Sequence, residues 1–330
     1  MPKDVETIIV GAGPAGTSCA WQLRQAGREV LILDKEQFPR TKLCAGWITD
    51  GVFEHLQFKP QHYPLSIIKL KFKFHYRSWP FSIQLPFAYS YSIRRYEFDN
   101  WLLERSGADF ERHQVKEIET SSDGSYVLDG RYRCRHLVGA GGTTCPVRSQ
   151  IFEPYPGKDD LIVTLEKELE YPQRDDFCHV FLFKNGLRGY SWYVPKGNGW
   201  VNIGLGGVRG YFRREGCNIR QHFKRFVQDL VRADLLDAKT AEELHETGHP
   251  YHFYPLQRVQ DLKRDRCYLI GDSAGFASRD LGEGIAPAIE SGLMAAREIL
   301  GTGNYDHEHI ARTSIAFGPA QRFLINRIHV

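Results

Sequence analysis

The chain has 330 residues, room for one large domain or two joined ones, and its 42% apolar and 25% charged residues are the balance of a folded globular protein. A net charge of +3, spread without a dense Lys/Arg block, excludes a nucleic-acid binder held by charge. Seven cysteines, odd in number and never spaced Cys-x-x-Cys, exclude a disulfide framework or zinc site and imply a reduced, cytoplasmic setting.

No run approaches the ~18 apolar residues of a membrane helix, and composition leaves peripheral membrane contact open. The first predicted element is a short apolar strand, Thr7–Val10, of the kind buried in a parallel sheet. It is too short for a signal peptide and runs directly into Gly11-Ala12-Gly13-Pro14-Ala15-Gly16. A helical pattern then ends near Gly27, and a second apolar strand, Glu29–Leu33, closes on Asp34-Lys35. This is a dinucleotide fingerprint in its full strand–helix–strand setting. Gly11 permits the tight turn, Gly13 lets backbone approach a pyrophosphate, and Gly16 lets helix and strand pack closely. The helix start at Pro14 and Ala15 turns unpaired N–H groups toward phosphate, and Asp34 stands where a carboxylate reaches the ribose.

Next comes a loop, residues 39–47, that carries Arg40, Lys42, Cys44, Ala45, Gly46 and Trp47. Ile67–Tyr76 alternates apolar and basic residues with period two, a half-exposed antiparallel strand whose Lys69, Lys71 and Lys73 face solvent. Residues 161–170, 177–184 and 190–205 read as strand-rich, and 220–236 and 238–244 as helical. His249 and His252 read as structural, and His307-Glu308-His309 has no third ligand at a suitable spacing, so no metal is expected. The last predicted strand is Cys267–Ile270, followed by Gly271-Asp272-Ser273-Ala274-Gly275. Gly282 and Gly284 precede a helix from Ile285 to about Leu300, its apolar residues recurring at three- and four-residue steps.

The stretch from Gly271 to Ala296 closely resembles the second FAD motif of flavoproteins with the p-hydroxybenzoate hydroxylase type of fold. The resemblance implies that Asp272 bonds the ribitol chain and that the helix start, Leu281 to Ile285, meets the flavin pyrimidine edge. A helix dipole suits the negative charge of a reduced flavin there. Within that superfamily the chain most resembles geranylgeranyl reductase-like flavoproteins, over nearly its full length. Arg95-Tyr96-Glu97-Phe98-Asp99 looks like the family's Arg-x-x-Phe-Asp segment, implying that Arg95 contacts FAD, and Gln114-Val115 stands where backbone contacts the adenine. Gly189–Pro195 and Gly199–Gly204 look like a sheet segment shared with halogenases. In the middle cofactor segment, Ala140-Gly141-Gly142, Gly141 replaces the aspartate of related hydroxylases and removes one expected cofactor hydrogen bond. Lys42-Leu43-Cys44-Ala45-Gly46-Trp47 resembles the Cys-Gly-Gly-like step of the reductases rather than the Gly-Glu-Ser loop of halogenases.

A hydride added to an alkene leaves a proton to be supplied. The Cys44 thiol, with Lys42 and Arg40 in the same loop and Trp47 beside it, is a candidate for that proton or for a polar contact. The alternative is a half-buried thiol that fills space, the reading also preferred for Cys19 and Cys145. The expected fold is α/β (α+β overall). A Rossmann-like FAD-binding domain over 1–60, 90–155 and 255–330 interleaves with an antiparallel-sheet substrate domain over 61–89 and 156–254. Trp47, Trp192, Tyr193, Tyr251, Phe253 and Tyr254 are candidates for an apolar wall, and each suits an ordinary core equally well.

The expected activity is FAD-dependent reduction of carbon–carbon double bonds in a hydrophobic, isoprenoid-like or lipid substrate. One alternative is a FAD-dependent monooxygenase acting on an aromatic or polyketide; another is a non-catalytic flavin- or lipid-binding protein. With no second dinucleotide fold, NAD(P)H must visit transiently if it is the electron donor, and a ferredoxin-like donor fits as well.

Overall fold

The computed structural model describes residues 1–76, 82–84, 90–153, 159, 161–245, 247–252, 261–278 and 282–310. The chain opens with β1 (Lys3–Val10), α1 (Pro14–Gln25) and β2 (Val30–Asp34). It continues through β3 (Trp47–Thr49), α2 (Asp50–His55), β4 (Ile67–Tyr76), β5 (Ser82–Gln84) and β6 (Ser90–Ile93). Then come α3 (Arg95–Ser106), β7 (Asp109–Arg112), β8 (Ile118–Thr120), β9 (Tyr126–Leu128), β10 (Tyr132–Gly139) and α4 (Pro146–Ile151). The middle of the chain forms β11 (Leu161–Glu170), β12 (Phe177–Leu182), β13 (Gly189–Gly197) and β14 (Trp200–Val208). It ends with α5 (Arg209–Arg214), α6 (Ile219–Arg232), α7 (Ala238–Glu243), β15 (Thr247–His252), β16 (Lys263–Arg264), β17 (Cys267–Leu269) and α8 (Ile285–Ile299).

One sheet has the strand order β16-β17-β10-β1-β2-β7. Its contacts from β17 through β7 are parallel, as the apolar runs at Thr7–Val10 and Val30–Leu33 require when both faces are covered. On one face α1 and α8 pack against Ile9, Ile32 and Val138; the other face holds a core around Ile8, Leu137 and Leu269. The expected α/β class, with a Rossmann-like unit, is therefore what the chain adopts.

The second sheet runs β15-β11-β14-β13-β12-β4-β6-β3, with β5 on β4. It is antiparallel except for β12 beside β4, which are parallel, a departure from the all-antiparallel expectation. Strands β3 and β6 pair in this sheet, although the expected boundaries set residues 1–60 and 90–155 with the other one. The strand-rich stretch 190–205 is two strands, because Asn198 and Gly199 take left-handed backbone (φ 50° and 75°) and turn the chain back. Left-handed Phe183 and Asp234 likewise end β12 at Leu182 and stop α6 short of the expected 236. α6 buries Phe223, Phe226, Val227 and Leu230 at helical spacing against the sheet's outer face.

The two cofactor-side helices touch closely. A Cβ added at Gly292 of α8 would lie 2.3 Å from the Ala15 carbonyl oxygen of α1. Gly292→Ala is therefore expected to destabilise by about 1–3 kcal/mol in urea unfolding, while Gly303→Ala, which meets only ordinary contacts, stays within about 0.5 kcal/mol.

Candidate functional site

The carboxyl ends of β1, β2 and β10 open onto a cleft of about 640 Å³ whose far wall is the second sheet. Gly11, Gly13, Pro14 and Ala15 line it from the first turn, Asp34 and Lys35 from the end of β2, and Arg40, Cys44, Ala45, Gly46 and Trp47 from the following loop. Arg95, Val115, Ala140 and Gly141 come from the middle of the chain, and Asp272, Gly282, Gly284 and Ile285 from its end. Trp192 enters from the opposite sheet.

Two expectations shift, for Gly271 and Tyr193. Gly271 stands behind the lining, where a Cβ would lie 2.9 Å from Ala15 Cβ, while Gly16 packs helix against strand as read from the motif, a Cβ there lying 2.0 Å from the Gly11 oxygen. Tyr193 does not face the cleft. Strand period places it opposite Trp192, fully buried against the α6 side, with its ring edge-on to His179 at 5.9 Å. Phe253, Tyr254 and Leu281, and the side chains of Tyr251, His249 and His252, lie outside the described residues.

The nucleotide end fits a diphosphate. α1 begins at Gly13 without a side-chain cap, so the helix presents its first N–H groups to the cleft. Only the tip of Arg40, at 3.8 Å, approaches the space where a Gly13 side chain would be. Arg40 Nη2 pairs with Asp99 Oδ2 at 3.2 Å, while its Nη1 is buried with no hydrogen-bond partner, an orphaned donor that an anion would satisfy. Asp34 accepts from the Ala12 N–H (2.8 Å) and the Glu36 N–H (2.9 Å), and a carboxylate so used retains lone pairs for ribose hydroxyls. FAD therefore fits the donor set.

Arg95, expected at the flavin, is held in place by Asp99. Nε–Oδ1 is 2.6 Å and Nη2–Oδ2 2.7 Å, a bidentate pair with a fully buried carboxylate. Burial opposes the Arg95 charge, but Asp99 more than restores it, so the guanidinium stays protonated. The middle and last motifs are joined: the Gly142 N–H donates to Ser273 Oγ (2.9 Å) and Arg148 Nη1 to the Ser273 carbonyl (2.8 Å). At Gly141 a Cβ would press on Cys145 at 3.2–3.4 Å, so Cys145 takes up the space beside this position. α8 starts at Gly284, where a Cβ would lie 3.3 Å from Asp272 Oδ1, and its first turn already has a carboxylate: the Ala286 N–H donates to Glu283 Oε1 (3.0 Å).

The Cys44 loop is tied to the second sheet. Cys44 Sγ accepts from the Gly46 N–H (3.3 Å) and from Arg95. Asn202 Nδ2 reaches the Cys44 carbonyl at 3.5 Å, and Lys196 Nζ, wholly buried, donates to the carbonyls of Ala45 and of Ile93 (2.9 Å). Gly46 has φ 68° and a Cβ there would sit 2.2 Å from Lys196 Nζ, so this turn admits only glycine. Burial lowers the pKa of Lys196, and also that of Lys42 in the cleft lining.

On the sheet side, Trp47 stacks on Tyr190 (6.3 Å), Tyr190 tilts against Trp192 (5.5 Å), and the Trp192 indole N–H donates to Asn202 Oδ1 (2.7 Å). Gly204 makes room for that indole, since a Cβ there would lie 2.4 Å from its ring. Thr164 and Glu166 of β11 line the same end. Sequence reasoning passed over Thr164, Glu166, Tyr190, Lys196 and Asn202. Glu166 sits among Lys167, Glu168 and Glu170, and Lys196 precedes the Gly197-Asn198-Gly199 turn, so neither stood out in the sequence. Glu166 is 2% exposed, and burial, with a smaller push from Glu168, raises its pKa to about 8 against Lys196, Lys42 and Arg95.

The family described as an NAD(P)-binding Rossmann-like domain matches residues 9–54. An uncharacterised protein of Methanosarcina barkeri is 29% identical, covering 94% of this chain and 79% of its own. A menaquinone reductase of Mycolicibacterium smegmatis is 25% identical (99% and 84% covered). A digeranylgeranylglycerophospholipid reductase of Methanosphaera stadtmanae is 24% identical (89% and 77%). Among solved structures, a geranylgeranyl bacteriochlorophyll reductase-like protein of Thermoplasma acidophilum superimposes with TM-score 0.75 at 17% identity (99% and 83%). A flavin-dependent brominase gives 0.68 at 16% (92% and 81%). The chain thus has the architecture of FAD-dependent oxidoreductases, the superfamily that its motifs resemble, and the named relatives are reductases. Among the described residues no helix is long and apolar enough to cross a membrane.

Arg40→Ala is expected to weaken FAD binding about 10- to 100-fold in a flavin-fluorescence titration, the loss of a charged hydrogen bond. Glu166 makes stability pH-dependent. Its folded pKa of about 8 lies above the ordinary 4.5, so the folded state holds a proton that the unfolded state has lost. Wild-type stability therefore falls as pH rises between about 4.5 and 8 and then levels off. Glu166→Gln should lack that slope in melting curves taken across the range.

Proposed function

We propose that this FAD-dependent oxidoreductase reduces carbon–carbon double bonds of a hydrophobic, isoprenoid-like substrate. The observation that carries the reading is the reductase-type Cys44 loop, fixed between the dinucleotide fingerprint and an aromatic wall of Trp47, Tyr190 and Trp192. When bound, FAD supplies the hydride. The chain's residues do the rest. The α1 start and Arg40 hold phosphate, Asp34 the ribose, and Asp272 with the start of α8 the flavin end. The aromatic wall excludes water and accepts an apolar chain. The names of the relatives, acting on menaquinone and on a digeranylgeranyl lipid, support an isoprenoid-like substrate.

Two roles stay open to Cys44, proton supply and a polar contact, and its sulfur accepts from the Gly46 N–H. Electrons arrive from NAD(P)H visiting transiently or from a ferredoxin-like protein. The division into a FAD-binding part (1–60, 90–155, 255–330) and a substrate part (61–89, 156–254) is part of the same proposal.

Anaerobic protein given a chemical reductant and a polyprenyl substrate should add two hydrogens per double bond by mass spectrometry. Substrate oxygenation that requires O₂ would replace this reading with a monooxygenase. Cys44→Ala should keep its flavin spectrum and lose about tenfold in turnover, the scale of one lost polar contact.

A further inference from the structure

Saturating an alkene needs an acid as well as a hydride, and the cleft holds carboxyl groups besides the Cys44 thiol. Among the described residues, the carboxyl groups in the cleft lining are Asp34, Glu36, Glu166, Asp272 and Glu283. Asp34 accepts two backbone N–H groups at the nucleotide end, Glu36 is exposed, and Glu283 accepts from the first turn of α8. Asp272 sits against the start of α8, at the flavin end. Glu166 alone belongs to the substrate-side sheet.

We propose that Glu166 is the proton donor of the reduction, delivering its carboxyl proton to a substrate lying against Trp192. The inference rests on the alkene-reduction reading above. Across β11, β14 and β13, the residues Glu166, Gly204 and Trp192 stand in one register, and the Glu166 and Trp192 side chains meet over Gly204. A Cβ on Gly204 would lie 2.7 Å from Glu166 Cβ and 2.4 Å from the Trp192 ring. Glu166 is 2% exposed, and its Oε1 is buried with no hydrogen-bond partner, so no structural bond accounts for that oxygen.

The charged groups that face it are Lys196 from β13, Lys42 from the Cys44 loop, Arg95 from α3 and Glu168 on its own strand. Burial outweighs the three cations and keeps the acid protonated at neutral pH. Once the proton leaves, the same cations stabilise the carboxylate. The step balances as follows. A hydride from reduced flavin, itself reduced by an external donor, joins one alkene carbon as the π bond breaks. The Glu166 O–H bond breaks and its proton joins the other carbon. The carboxylate then recovers a proton from water.

The test uses the FAD-loaded protein. In infrared spectra without turnover, wild type should show a protonated-carboxyl band that fades as pH rises through about 8 and that Glu166→Gln lacks. In anaerobic single turnovers Glu166→Gln should retain flavin and slow saturation about 100-fold or more. Wild-type turnover should fall above pH about 8. Glu166→Asp, an acid on a shorter arm, should keep part of the rate and move that alkaline limb. If wild type saturates alkenes and Glu166→Gln matches its rate and pH profile, the proposal fails while the reductase reading stands. If Glu166→Gln does not fold, an unmoved limb in Glu166→Asp, or no titrating band in wild type, overturns it. A wild type that saturates no alkene overturns both.

Discussion

A buried lysine, Lys196, sets the geometry of the cleft. With no exposure, its amine is met by backbone carbonyls, those of Ala45, in the loop after the nucleotide fingerprint, and Ile93, at the end of β6. One side chain of the second sheet thereby fixes the loop that carries Cys44. The no-side-chain turn at Gly46 follows from the same contact, because any Cβ would displace the lysine.

A second ionic knot works alongside it. Asp99, fully buried, holds Arg95 by two bonds and Arg40 by one, so the two arginines nearest the cofactor positions are oriented before any ligand arrives. The orphaned Nη1 of Arg40 is the remaining valence of that knot. The site is built to leave unmet what an anion brings.

The parallel sheet was legible because its strands are apolar on both faces and its turns are written in glycine, at Gly11 through Gly16 and again at Gly282 and Gly284. Gly11 has φ 117° and no room for a Cβ beside the Ala140 carbonyl, so the motif letters and the geometry coincide. The substrate wall was harder. Tyr193 and Trp192 are adjacent aromatic residues in a strand, and composition cannot say which of the two faces the cleft. Lys196 and Glu166 were invisible for another reason: their significance lies in what surrounds them, and Ala45, Ile93 and Gly204 are far away along the chain. Strand ends misjudged at 184 and helix ends at 236 trace to left-handed Phe183 and Asp234, residue types that do not announce that conformation as glycine does.

The parallel contact of β4 with β12 has a bearing on biogenesis. β4 is synthesised some hundred residues before β12, so its free edge waits for a partner while the ribosome is still working. The Rossmann-like sheet waits longer, since β10 gains β17 only when residues 267–269 emerge. Both layers take their last strands from beyond residue 246, which leaves unpaired strand edges exposed until late in synthesis.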